Sequence, residues 1–187
     1  MIRETVVTTV SAAGLPHIAP LGLIEVEGGW IAAPFHPSTT LDNLRVVPEL
    51  VANYVDDVRI IAGCLTGRRD FPVLPSAGVR PPRLASALAH AEMEVVSVQE
   101  DPQRPRFLCR VRRREIHAPF QGFNRAQAAV VEAAILVSRL FMLPREKVEQ
   151  DIAYLRIAVD KTAGPAEHEA WDWLMAAIAA YYAKPPS

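Results

Sequence analysis

Cysteine is scarce in this chain. Only Cys64 and Cys109 occur, far apart and outside any C-x-x-C pair, which argues against a disulfide framework and against a cysteine-based zinc site. Both are expected as buried thiols. Long apolar runs are missing too: none approaches the roughly 18 residues needed to span a bilayer. The opening Met1-Ile2-Arg3-Glu4 lacks the basic and then apolar pattern of a secretory leader, so a cytoplasmic protein without a membrane partner is expected. Net charge is nearly absent, with 20 Lys+Arg against 21 Asp+Glu, and bulk electrostatics therefore recommend no nucleic-acid partner. His17, His36, His90, His117 and His168 show neither HxxxH nor HExxH spacing, and no metal site is expected. No Ser-His-Asp or Cys-His arrangement can be placed from spacing alone.

What the sequence does contain is a change of periodicity. With 187 residues, half of them hydrophobic, the chain can bury one substantial core. From residue 2 to about 117 the pattern is strand-like, and from Asn124 to Tyr182 it is helical. Strands are predicted at Glu4 to Val10, His17 to Glu27, Trp30 to Pro34 after Gly28-Gly29, Leu50 to Val55, Leu88 to Val98 and Phe107 to Ile116. Six strands suffice to close a small antiparallel barrel. Short helices are predicted over Thr40 to Val46 and Val58 to Leu65, and the Pro-rich stretch from Arg68 to Pro82 reads as an irregular loop, either a lid or a connection. Asn124 caps a largely buried helix expected to run to Leu143, before Pro144. A second helix carries Val148, Ile152, Leu155 and Val159 on one stripe, and Pro165 starts a third bearing Trp171, Leu174, Met175, Ile178 and Tyr181. The Lys184-Pro185-Pro186-Ser187 tail is expected to be disordered.

Three polar clusters invite a chemical reading. Ser38, Thr39, Thr40 and Asn43 stand where a short helix begins, so they suit either a phosphate or an ordinary helix cap. On the first long helix Arg125, Glu132 and Arg139 recur every seven residues, roughly 10 Å per step. Arg125, at the first helical position beside its cap Asn124, is either part of an anion site or one edge of a solvated, charge-balanced stripe. The basic run Arg110, Arg112, Arg113, Arg114 reads as one side of a hairpin: a turn near Pro102 sets Glu94, Glu92 and His90 opposite Arg110, Arg112 and Arg114 as a salt-bridge ladder, with Met93, Ala91 and Val95 facing the core. Asp56-Asp57 fits a turn or helix cap better than an acid/base pair.

Taken together, the Gly14-Leu15-Pro16 turn, the Ala19-Pro20-Leu21-Gly22 strand, the Gly28-Gly29 hairpin, the Ser/Thr corner ending in Asn43-Leu44 and the run Leu50 to Asp57 resemble the FMN-binding split-barrel superfamily. Gly122 to Ala126, Val130 to Ala133 and Ser138-Arg139-Leu140 extend the likeness, over nearly the whole chain, to the domain-of-unknown-function group 447 within it. The resemblance implies an α+β protein: a six-stranded antiparallel split barrel over residues 1–120 that binds flavin, with a helical subdomain over 121–187 packed on it. It also implies FMN as cofactor and a homodimer whose flavin sites lie at the interface. Pro20, Leu21 and Gly22 would face the flavin ring, while Ser38, Thr39, Thr40 and Asn43 would meet the phosphate. Where many split barrels carry Lys or Arg just beyond the first Ser/Thr, this chain has Leu41 and Asp42, and a carboxylate repels a phosphate dianion. The positive group must come from elsewhere, with Arg125 as the candidate and its neighbour Asn124 as a further cofactor-binding residue. The implied function is an FMN flavoprotein, an oxidoreductase in which the flavin carries the chemistry on a small-molecule substrate. The alternatives are a non-enzymatic binder of flavin or a pterin-like ligand, and a structural dimer with a vestigial cleft.

Overall fold

The computed structural model describes residues 1–183; the Lys184 to Ser187 tail lies outside the described residues. Contacts divide the chain into two compact units, Met1–Val55 with Asp70–Phe120, and Asp56–Arg69 with the residues from Gln121 onward.

The first unit contains β1 (Ile2–Val10), β2 (Pro16–Val26), β3 (Gly29–Ala32), α1 (Thr39–Val46), β4 (Glu49–Tyr54), β5 (Val73–Leu74), β6 (Arg83–Leu84), β7 (Ala89–Gln99) and β8 (Arg106–Ile116). Six of the strands close a barrel in the order β1-β2-β3-β8-β7-β4, every pair antiparallel, which is the α+β barrel that the sequence predicts. Tight hairpins make this order: Gly28 adopts φ +78 between β2 and β3, a conformation costly for any residue with a Cβ. Alternation sends Val7, Leu23, Ala52, Ala91, Met93 and Cys109 inward, where they meet Leu41 and Leu44 of α1 in one apolar cluster. Burying those two leucines stabilises the unit by about 2 kcal/mol each and fixes α1 to the barrel.

Pairing also lines up Pro20, Val6, Asn53, His90 and Glu115 across β2, β1, β4, β7 and β8. Directly paired residues share a face, here the outer one, yet Val6, Asn53 and His90 are almost wholly buried. Around Asn53 and Glu92 the cover comes from the connection after residue 70. Leu84 N–H donates to Asn53 Oδ1 at 2.8 Å, while Ala77 and Gly78 N–H donate to Glu92 Oε1 and Oε2 at 2.9 and 2.6 Å. That connection, expected as wholly irregular, pairs Val73–Leu74 with Arg83–Leu84 into a small hairpin.

The β7–β8 ladder corrects the predicted register. Glu94 does oppose Arg110, but Glu92 opposes Arg113 and His90 opposes Glu115, because Arg112 is an extra residue in a bulge. Ala91 consequently faces Arg114. Arg112 turns to Glu94 instead, its Nε 2.7 Å from Oε2, while Arg110 Nε lies 2.9 Å from Oε1.

The second unit holds α2 (Arg59–Leu65), α3 (Arg125–Ser138), α4 (Arg145–Thr162) and α5 (Pro165–Tyr182). Asp57 accepts the Arg59 N–H and pairs with its guanidinium, forming the turn that leads into α2, whose N-cap is Val58; of the two roles expected for Asp56-Asp57, turn or helix cap, Asp57 takes the turn. α3 stops at Ser138 rather than Leu143: the Ser138 hydroxyl donates to Ile135 C=O at 2.7 Å, competing with the next helical turn. Phe141 and Met142 are exposed and gain nothing by extending it. The face of α3 bearing Arg125, Ala128 and Glu132 is open, while Ala126, Ala129, Val130, Ala133 and Ala134 are buried. Val148, Val159, Trp171 and Leu174 supply the buried anchors of α4 and α5. Among the described residues no helix is long and apolar enough to cross a membrane.

Candidate cofactor site

The Ser/Thr corner is the beginning of α1. Ser38 is its N-cap, with φ −158 and ψ 145, and it satisfies two of the first-turn donors: Leu41 N–H reaches its Oγ at 3.3 Å and Asp42 N–H its C=O at 3.1 Å. The Asp42 bond is the first of the ordinary helical ladder, and the N–H groups of Thr39 and Thr40, ahead of it in the first turn, have no partner within α1 at the positive end of the helix dipole. Thr39 is exposed and Thr40 buried. Asn43 serves the fold: its buried amide donates to Thr9 Oγ1 at 3.0 Å, fastening α1 to β1. The corner is therefore both a helix cap and a pair of spare backbone donors.

Its surroundings come from the β7–β8 turn. Asp101 Oδ1 accepts the N–H groups of Gln103 and Arg104, and these bonds hold its carboxyl below the ordinary range. His36 N–H donates to Gln103 C=O at 2.9 Å, and Arg104 Nε donates to Ala33 C=O at 2.6 Å with its guanidinium 4.5 Å from the Phe35 ring centre. Arg104 thus puts a positive charge on the segment leading into α1, a placement that sequence spacing did not reveal. The only hint was its place in the turn between two predicted strands. Arg45, on α1 itself, is engaged in a two-point pair with Glu100 at 3.0 and 2.7 Å, which depresses the Glu100 carboxyl. Asp42 stands exposed beside it.

Pro20, Leu21 and Gly22 lie half-buried on β2, opposite Val6, Thr5 and Glu4. Thr5 Oγ1 donates to Leu21 C=O at 2.7 Å. A Cβ at Gly22 would sit 2.9 Å from Ile2 Cγ2, so the glycine is explained on that face by the close approach of β1. These three residues and the α1 corner belong to one unit. Asn124 and Arg125 belong to the other: Asn124 Oδ1 accepts Ala126 and Gln127 N–H at 2.7 and 3.3 Å and its amide donates to Thr162 C=O, while Arg125 opens α3 exposed.

Most of the chain matches two family models. Residues 3–118 match the N-terminal domain of a protein of unknown function (DUF447), and residues 124–176 match the second DUF447 model. The chain belongs to the DUF447 family. Among solved structures, this DUF447 chain is similar to the FMN-bound DUF447 protein of Methanosarcina mazei, with 21% identity, a TM-score of 0.82 and 94% of each chain covered. It is also similar to the 2-nitrobenzoate 2-nitroreductase of Pseudomonas fluorescens, with 20% identity, a TM-score of 0.53, and 61% of this chain and 64% of that one covered. Flavoredoxin from Methanosarcina acetivorans matches at 14% identity and a TM-score of 0.53, over 62% of the DUF447 chain and 69% of its own. No curated protein matches the chain.

Proposed function

We propose that this protein is an FMN-binding flavoprotein and that it acts in the cytoplasm as an oxidoreductase on a small molecule. The observation that carries the reading is the shared fold over 94% of both chains with an FMN-bound member of its own family, joined to a helix start whose Thr39 and Thr40 N–H groups have no partner within α1. When bound, FMN would supply hydride or electron transfer.

The chain's residues have separate roles in this reading. Thr39 and Thr40 donate their backbone N–H groups to the phosphate, with Ser38 holding the turn in shape. Asn43 acts indirectly, through its bond to Thr9. Pro20, Leu21 and Gly22 offer a strand edge to the flat ring. Arg104 supplies positive charge on the segment leading into α1, and Arg125 with Asn124 is the second anion-binding candidate, tested separately. The working form is a homodimer whose flavin sites are shared between subunits. Sedimentation of the FMN-loaded protein tests that point, and a monomer with full affinity refutes it.

Thr39→Pro provides the decisive experiment. Proline is favoured at the first helical position, and the extended Ser38 backbone already suits a residue before proline. The substitution thus deletes the Thr39 N–H together with its hydroxyl while sparing the helix, and Thr39→Val, which keeps the N–H, separates the two. Absorbance between 300 and 550 nm and titration with FMN and riboflavin should show FMN preferred, with Thr39→Pro losing roughly 10- to 100-fold for FMN and little for riboflavin. Arg125→Ala reports on α3 in the same assay. Absence of FMN binding by the unaltered protein would overturn the proposal. The exposed Asp42 favours a second reading, a binder of flavin or a pterin-like ligand without catalysis; retained flavin that no electron donor reduces would select it.

A further inference from the structure

The outer face of the barrel carries a histidine pair that the cofactor site does not use. His90 begins β7 and directly opposes Glu115 near the end of β8. Just beyond β8, His117 N–H donates to Leu88 C=O at 2.7 Å, which turns its side chain back over the pair. His90 Nδ1 and His117 Nε2 come within 2.8 Å, with ring planes 5° apart and ring centres 5.0 Å apart. Those distances describe two rings lying edge to edge in one plane, the nitrogen of each aimed at the other.

Glu92 decides which nitrogen of His90 is available. Its two oxygens already accept the backbone N–H groups of Ala77 and Gly78, and Oε1 lies 3.3 Å from His90 Nε2. A carboxylate in that position is an acceptor, so Nε2 carries the ring proton and Nδ1 presents a lone pair toward His117. A carboxylate that holds the far N–H of an imidazole is the usual support behind a metal-binding histidine. Arg113 contacts Glu115 through Oε1 alone, leaving Oε2 for another partner. The donor atoms of His90, Glu115 and His117 all lie within 4.8 Å of one another.

We propose that His90 Nδ1, His117 Nε2 and a Glu115 carboxylate oxygen form a binding site for a divalent transition-metal ion of the zinc, cobalt or nickel type. Two imidazoles and one carboxylate suit these borderline ions better than calcium or magnesium, which take oxygen ligands. Three protein ligands leave a coordination position for water. Without metal, His117 Nε2–H donates to His90 Nδ1. Metal binding switches His117 to its other neutral tautomer, the proton leaving Nε2 for solvent while Nδ1 takes one up, and it opens the nitrogen separation to about 3.3 Å, as tetrahedral bonds of about 2.0–2.1 Å require. His90 is fixed by burial whereas His117 is exposed, so the adjustment falls on the side chain free to make it, and the ion enters from the His117 side. Arg83 and Arg113 oppose the cation electrostatically, whereas Glu92 and Glu115 favour it.

The test is a titration of the metal-stripped protein with Co²⁺, read by visible absorption between 500 and 700 nm, followed by displacement with Zn²⁺. Intense bands abolished by Zn²⁺ are expected. His117→Ala, altering an exposed side chain, should weaken Co²⁺ more than about 100-fold, and Glu115→Gln should weaken it roughly 10-fold, both with unchanged circular dichroism. Should His117→Ala fail to fold, Glu115→Gln and His117→Gln decide the matter. Lack of Co²⁺ bands at millimolar metal, or binding that these variants leave intact, would overturn the site.

Discussion

Replacing Asn53 should separate the two jobs of one buried amide. Its Nδ2 donates to Val6 C=O at 3.0 Å and Thr8 Oγ1 at 2.8 Å, and its Oδ1 accepts Leu84 N–H at 2.8 Å; all four residues are at most barely exposed. Asn53→Ala leaves the Leu84 N–H and the Thr8 hydroxyl without this partner in a place water does not reach. At about 1–3 kcal/mol for each of the two orphaned groups, the loss is about 2–6 kcal/mol, a large part of a typical total of about 5–15 kcal/mol. Asn53→Asp behaves differently. One oxygen still accepts from Leu84, but the other points at carbonyl oxygens, so the folded environment favours the protonated acid and raises its pKa above the unfolded value. A group raised in this way contributes stability below its unfolded pKa and loses it as pH rises, at about 1.4 kcal/mol per pH unit until the folded pKa is passed. Urea titrations between pH 4 and 8, with exchange of the Leu84 amide as the local readout, should show a constant deficit for Asn53→Ala relative to the unaltered protein. For Asn53→Asp the deficit should grow with pH. Parallel pH profiles for the two variants would contradict this division of the amide's two ends.

Two further outcomes follow from burial and capping. Burial pushes the Cys64 thiol up to about 11 and the Cys109 thiol up to about 12, so neither should react with an aromatic disulfide reagent at pH 8 until denaturant is added; fast native-state labelling would contradict the structure. Asn124→Ala removes the cap of α3 and its bond to Thr162, and should cost about 1–2 kcal/mol, measured as a lower urea midpoint at unchanged slope.

The six barrel strands were legible because their apolar and polar residues alternate and Gly or Pro punctuates them, signals that each strand carries on its own. What was hidden depended on partners distant in sequence. Arg110, Arg112, Arg113 and Arg114 are chemically alike, so no pattern marked which one bulges out of the ladder, and the shift moved Arg112 away from Glu92. Glu92 read as an outward rung of the ladder and nothing marked Asn53 for burial; both are covered by Leu84, Ala77 and Gly78 folding back over them. The site expectations fared according to how local they were. Ser38 as a cap was visible in three adjacent residues, whereas the link between Arg104 and Ala33 spans 71 positions and left no trace. The His90, Glu115 and His117 cluster escaped motif reading because its members come from two strands and a turn instead of from one helix.

The assignment of α2 to the helical unit has a consequence for biosynthesis. The chain leaves the barrel unit after Val55, returns at Asp70 and leaves again after Phe120. α2 packs against α3 and α5, both made much later. At roughly 5–20 residues per second, the apolar side chains of α2 wait on the order of 5–20 s for α5 to leave the ribosome. During that interval Ile60, Ile61 and Cys64, all buried at the end, lack their permanent neighbours, so the helical unit completes its packing only after the barrel strands have all been made.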